Sequence, residues 1–80
     1  MSLHLQPVRV KTGSDDTEGQ LVFTDGLLVA VLVQLSEDHE EKAGMWFLEA
    51  GFDGADERTR PTFADLDAAL EWIQRRLNGH

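Results

Sequence analysis

The sequence predicts an α+β domain in which a four-stranded antiparallel β-meander is followed by one C-terminal helix packed on one face (ββββα). Three observations support this prediction. Leu27 to Leu35 is an almost unbroken run of apolar and β-branched residues, as expected for a strand covered on both faces. Asp25-Gly26, directly before it, is typical of a two-residue hairpin turn. A single apolar stripe at helical spacing follows residue 62.

The first two strands are predicted from alternating apolar and polar residues. In Pro7 to Thr12, Val8 and Val10 alternate with cationic side chains, and proline and positive charge both suit an edge strand. Gly19 to Thr24 is the second strand. With a two-residue loop after it, the predicted cross-strand pairs are Phe23 with Leu28, Val22 with Val29 and Leu21 with Ala30.

A charged loop from Ser36 to Ala43 separates the central strand from a fourth strand, Gly44 to Phe52. The cost of burying a carboxylate selects the register of this strand. Trp46 and Leu48 are expected to share a face with the odd-numbered residues of the third strand, so that Glu49 lies away from Val29, Val31 and Val33.

The last predicted element is a helix that begins after Thr62, which can cap the first-turn amides with Asp65 in the reciprocal capping-box position. Aspartates early and arginines late in this segment match the helix macrodipole. The side chains expected to face the sheet form one stripe: Phe63, Leu66, Leu70, Ile73 and Leu77.

One helix cannot cover both faces of this sheet, and the odd-numbered face is the richer in apolar residues. Three explanations for the other face are open: the N-terminal segment or sheet curvature covers it, two copies pack as a symmetric dimer, or a protein partner or apolar ligand occupies it. The residues left on it are Leu21, Phe23, Leu28, Ala30, Leu32, Gln34, Met45, Phe47 and Glu49.

Composition narrows the possible functions. Eighty residues indicate a single domain spanning 1–80, and the absence of cysteine excludes disulfides, thiolate zinc sites and cysteine nucleophiles. A formal net charge of −8 with a pI near 4.6 disfavours nucleic-acid binding. No apolar run approaches the length of a membrane span, and the N-terminus does not resemble a signal peptide. We therefore expect a soluble, cytoplasmic protein without nucleic-acid or membrane partners.

No residue pattern indicates a reaction, a cofactor or a metal. His4, His39 and His80 lack metal-ligand spacing, and the carboxylates of Asp15 and Asp16 do not follow a calcium-loop pattern. Phosphate-binding loops and nucleophile elbows are absent. Glu49 is the one acid expected on an apolar surface, where burial could raise its pKa. An enzyme is the least supported class of protein.

The sequence instead favours a protein-interaction or regulatory module that associates with itself or with a protein partner. The alternative is a small-ligand-binding domain with a pocket between helix and sheet, near Trp46, Phe52 and Phe63. Nucleic-acid mimicry by an array of carboxylates is a third hypothesis. Trp72, close to Arg76, is either an exposed hot spot or a flanking residue in a cation–π contact. The candidate interaction residues are Leu28, Leu32, Phe47, Glu49 and Trp72.

Overall fold

The computed structural model describes residues 2–56 and 60–78. It contains an antiparallel sheet of five strands that follow one another in chain order, and one C-terminal helix. The predicted ββββα arrangement is confirmed, with a two-residue fifth strand added. The elements are β1 (Leu3–Arg9), β2 (Glu18–Thr24), β3 (Leu27–Gln34), a 3₁₀ segment (Glu37–Lys42), β4 (Trp46–Gly51), β5 (Thr62–Phe63) and α1 (Leu66–Asn78).

Strand β1 begins earlier than predicted and places Pro7 in its middle, opposite Gln20. In an antiparallel sheet, each residue of a hydrogen-bonded pair donates its backbone N–H, which proline lacks. Pro7 and Gln20 therefore form a non-hydrogen-bonded pair, and the backbone of Pro7 faces the outer edge. That edge therefore lacks one of the donors that an added strand would need. Because β1 extends the sheet in its own plane, the N-terminal segment does not fold across the second face.

The β2–β3 hairpin turns at Asp25-Gly26, both with positive φ, as a type I′ turn requires. The predicted pair Phe23–Leu28 is confirmed. The next two predicted pairs are wrong by one residue, because a β-bulge leaves Val29 without a partner of its own and places Val22 opposite Ala30. A bulge sets two residues against one, so the alternation of faces along β3 is reversed beyond this point.

A second bulge lies in β4, where Glu49 is the extra residue between the pairs Leu32–Leu48 and Val31–Ala50. Leu32 therefore shares the helix-facing side with Leu48, and the prediction that placed Leu32 on the uncovered face is wrong. Val33 takes that place instead, since it pairs with Phe47. Glu49 and Val33 therefore lie on the same side of the sheet, and the prediction that Glu49 lies away from Val33 is wrong.

The helix begins at Leu66, later than predicted. Thr62 belongs to β5 and does not cap it; the cap is Asp65, whose Oδ1 accepts a hydrogen bond of 2.8 Å from the Ala68 amide. The helix packs on one face of the sheet. The core between them consists of Val22, Val29, Ala30, Leu32, Trp46, Leu48, Ala55, Phe63, Ala69 and Ile73.

No helix of the described residues packs on the opposite side of the sheet, which we call the open face. Its alternation follows from the strand pairings, and its central apolar residues are Leu21, Phe23, Leu28, Val31, Val33 and Phe47. Among the described residues, no helix has the length and apolar character needed to cross a membrane. The open face has two ends: the hairpin end at Asp25-Gly26, and the loop end, where the 3₁₀ segment lies.

Candidate functional site

Two connections at the loop end of the sheet enclose a cleft on the open face. One is the loop between β1 and β2, and the other is the 3₁₀ segment between β3 and β4. The cleft has a volume of about 380 Å³, at the lower end of the range found for small-molecule sites. Its apolar floor is formed by Val33, Leu35 and Phe47, and its polar wall and rim include Thr12, Ser14, His39, Lys42, Glu49 and Thr62.

An aspartate and a histidine connect the two sides of this cleft. Asp16 Oδ1 accepts a hydrogen bond of 2.7 Å from the Ser36 backbone N–H, and Asp16 Oδ2 lies 2.6 Å from His39 Nε2. The Asp16 side chain is only 12% exposed, whereas that of His39 is 40% exposed. A nearly buried carboxylate is thus paired on both oxygens, which is what burial of a charge requires.

The hydrogen bond from Ser36 is the main reason why the pKa of Asp16 is lowered from 3.8 to about 2. Desolvation opposes this change, and the hydrogen bond and charge of His39 assist it. Asp16 is therefore ionised at neutral pH. A negatively charged acceptor beside Nε2 favours a proton on that nitrogen, and this orients the imidazole ring at the mouth of the cleft.

The loop that carries Asp16 is held in shape by short-range side-chain hydrogen bonds. Thr12 Oγ1 donates to the Asp16 carbonyl oxygen at 2.9 Å, and the Asp16 amide donates to Ser14 Oγ at 3.2 Å. Such local hydroxyl contacts are typical of polar turns. They fix the shape of the loop from which the Asp16 carboxylate contacts Ser36 and His39.

The 3₁₀ segment is capped by Ser36, whose hydroxyl accepts from the Asp38 amide at 3.4 Å. Glu40 interrupts it with a positive φ of 53°. Asp38 also approaches the β1–β2 loop: its pKa is raised, because its carboxyl group hydrogen-bonds to that of Asp15 and because the charge of Asp15 disfavours ionisation.

Two ionisable side chains that line the cleft form no ion pair with another described residue. Within residues 2–56 and 60–78, neither Lys42 nor Glu49 takes part in an ion pair or in a side-chain hydrogen bond. Lys42 comes from the 3₁₀ wall, and Glu49 from the bulge in β4. Besides the Asp16–His39 pair, the cleft therefore offers one positive and one negative group above an apolar floor.

The candidate interaction residues predicted from the sequence fall in four different places. Leu28 is 38% exposed at the hairpin end, whereas Leu32 has no exposed surface and is part of the core. Phe47 and Glu49 are half-buried and line the cleft. The structure thus brings only Phe47 and Glu49 together, and the burial of Leu32 removes it from any contact surface.

Trp72 is half-buried in contact with the core. Its ring centroid lies 5.6 Å from that of Phe63, and the Arg76 guanidinium carbon lies 5.1 Å from the Trp72 ring. Arg76 also donates hydrogen bonds to the carbonyl oxygens of Gly54 and Asp56. Trp72 is therefore the flanking residue with a cation–π contact, and it helps to hold the loop after β4 against the helix.

The space between helix and sheet, suggested by the sequence as a ligand pocket, is filled by side chains. Trp46 and Phe63 are 9% and 8% exposed and belong to the core, while Phe52 is 48% exposed and lies outside it. The 380 Å³ cleft is on the other face of the sheet. This cleft is not lined by Trp46, Phe52 or Phe63.

The contact between Asp16 and His39 was not predicted from the sequence, which was searched at these residues only for metal-ligand patterns. The hairpin register contains the signal that could have revealed it. Gly19 pairs with Val33, and continuing that register beyond the strands places Asp16 opposite Ser36, its observed partner. The register is known only once the bulge at Val29 is known, so the pattern of residue types alone could not have supplied it.

At the hairpin end, the open face exposes apolar side chains in cross-strand rows that contain no Asp, Glu, Lys or Arg. Leu28 is 38% exposed, and its partner Phe23 is half-buried. The other open-face residues in these rows are His4, Gln6, Leu21, Val31 and Ala50. None of them is Asp, Glu, Lys or Arg, although the whole chain has a net charge of −8.

Among the described residues, no three His, Asp or Glu side chains are grouped closely enough to hold a metal ion. Comparison of the chain with protein-family models, with curated proteins and with solved structures finds no match. The evidence that bears on function is therefore the geometry of the open face and of its cleft.

Proposed function

We propose that this protein is a small interaction module that associates with a second copy of itself through the hairpin end of the open face. The observation that carries the proposal is the exposed Leu28 beside Phe23, on a sheet face over which the helix does not pack. Small domains without disulfides or metals commonly gain stability by association, and twofold dimers are the commonest closed assembly.

The lack of charged residues in the hairpin-end rows of the open face favours a second copy over a partner of opposite charge. Two molecules that each carry a net charge of −8 repel one another unless their contact surface excludes the carboxylates. The open face at the hairpin end meets this condition, because its cross-strand pairs include no acidic or basic residue apart from His4. A twofold axis through the face would bring the same apolar side chains together from both copies.

The edges of the sheet are less suitable for association than the face. Pro7 leaves the outer edge of β1 without a donor at its position. Strand β5 has only two residues and offers little backbone for pairing. A stable interface commonly buries about 800 Å² per partner, which is about 15% of the 5219 Å² surface of this chain. Contact on that scale would need most of the hairpin end.

Sedimentation equilibrium from roughly micromolar to millimolar protein tests the proposal directly. We expect the wild-type protein to be dimeric at the upper end, and Leu28→Glu to weaken dimerisation at least tenfold, because the substitution places a carboxylate in the apolar contact. The matched control is Leu5→Glu. Leu5 is equally exposed, at 37%, but it pairs with the core residue Val22 and lies on the helix side of the sheet.

A wild-type protein that remains monomeric throughout this range would overturn the proposal. Equal loss of dimer in the Leu5 and Leu28 variants would also overturn it, because the effect would then follow from added charge alone. The proposal assigns the domain no reaction, nucleic acid or membrane, and it places the protein in the cytoplasm. These last assignments rest on the sequence: an acidic chain without cysteine and without a recognisable catalytic pattern.

A further inference from the structure

The cleft at the loop end differs chemically from the hairpin end and has no part in the proposed dimer contact. Its floor is apolar, formed by Val33, Leu35 and Phe47. Its rim carries the cation of Lys42 and the carboxylate of Glu49, neither of which is paired within the described residues. Ligand sites typically combine an apolar lining with a few converging polar groups.

The 3₁₀ wall of the cleft is held in place by hydrogen bonds to the β1–β2 loop. Asp16 joins it to the β1–β2 loop through Ser36 at 2.7 Å and through His39 at 2.6 Å. Because His39 Nε2 faces Asp16, its Nδ1 is the ring nitrogen left for other contacts, and no hydrogen bond to it is present in the described part of the chain. This cross-link fixes the wall that carries Lys42, so a ligand need not order that wall on binding.

We propose that this cleft binds a small amphipathic zwitterion of amino-acid type. The ligand's carboxylate is recognised by Lys42, its ammonium group by Glu49, and its apolar body by Phe47 and the floor. A ligand with a single charge leaves one of these two groups desolvated and unpaired, which weakens binding. His39 and the hydroxyl of Thr62, also at the rim, are further polar groups within the same cleft.

Three probes of similar shape test whether the cleft recognises both the carboxylate and the ammonium group of the ligand. They are L-phenylalanine, 3-phenylpropionate, which lacks the ammonium group, and 2-phenylethylamine, which lacks the carboxylate. Binding is followed by amide chemical shifts in two-dimensional NMR of the full chain at pH 7. We expect L-phenylalanine to bind about tenfold more tightly than either analogue. The shifted amides should be those of the cleft, around Phe47, Glu49 and the 3₁₀ segment.

Substitutions then assign each charge to its residue. Glu49→Gln should reduce the preference for L-phenylalanine over 3-phenylpropionate to less than about twofold, and Lys42→Gln should do the same against 2-phenylethylamine. The control variants are Lys11→Gln and Glu41→Gln, which make the same charge changes at exposed positions that do not line the cleft. Both controls should retain the full preference.

Three results would overturn the inference: no shift at tens of millimolar L-phenylalanine, equal affinity for all three probes, or unchanged selectivity in both glutamine variants. Since these measurements do not depend on dimerisation, they also separate this inference from the proposed function. Leu28→Glu should retain the preference for L-phenylalanine, because Leu28 lies at the other end of the open face.

Discussion

Replacing Asp16 by asparagine should destabilise the protein at neutral pH and much less at pH 2. The carboxylate pKa is lowered from 3.8 to about 2, and one pKa unit corresponds to about 1.4 kcal/mol. The full shift would therefore give somewhat over 2 kcal/mol. His39 is 40% exposed, and solvent weakens its contribution, so we expect a loss of about 1 to 2 kcal/mol in the free energy of unfolding.

The sign of the pH dependence follows from proton binding. Between about pH 4 and pH 2, the unfolded chain binds a proton at Asp16 that the folded protein does not. The stabilisation by Asp16 is therefore complete above the unfolded pKa and is lost as the pH falls through the folded pKa. The difference between wild type and Asp16→Asn should persist from pH 7 to about pH 5 and should be only a small fraction of that value at pH 2.

Urea denaturation at several pH values, followed by circular dichroism, measures this difference. At pH 7 the melting temperature should also fall by roughly 5 to 15 °C, as a domain of this size loses about 4 to 8 °C per kcal/mol. Asp25→Asn is the control, because Asp25 is exposed in the hairpin turn with a φ of 53° that asparagine tolerates. A destabilisation that is independent of pH would refute the reasoning, as would equal stability of both variants at pH 7.

Four further substitutions test the packing. In chemical denaturation, Leu32→Ala should lower the free energy of unfolding by about 2 to 5 kcal/mol, and Leu28→Ala by less than about 0.5 kcal/mol. Similar losses would contradict the assignment of Leu32 to the core and of Leu28 to the open face. Gly51→Ala should cost about 1 to 3 kcal/mol, because the new Cβ would lie 2.6 Å from the Ala55 carbonyl carbon. Thr24→Val should be neutral or stabilise by up to about 1 kcal/mol, since the buried hydroxyl of Thr24 has no described partner; a clear loss would show that this hydroxyl is bonded.

The candidate site was only partly accessible to sequence reasoning. Phe47 and Glu49 were assigned to the uncovered face because a carboxylate is costly to bury, and both lie in the cleft on that face. Leu32 was assigned to the same face by simple alternation and is fully buried instead. Asp16 and His39 were passed over, because nothing local marks two loop residues that meet only when the strands align.

Local chemistry accounts for the order and type of the elements. Asp25-Gly26 specifies the hairpin, the β-branched run specifies β3, and the apolar stripe specifies α1, since turn geometry and side-chain periodicity act over a few neighbouring residues. The two-residue β5 escaped prediction, because a strand so short has no periodicity of its own and exists only through its pairing with β4.

The assignment of residues to faces depended on contacts between distant segments. The bulges at Val29 and Glu49 each reverse the alternation of a strand, and a one-residue change moves every later side chain to the other face. Whether a bulge forms depends on how the sheet packs against the helix and on what each face can bury. For this reason the buried position of Leu32 and the cleft between the loops emerged only from the tertiary structure.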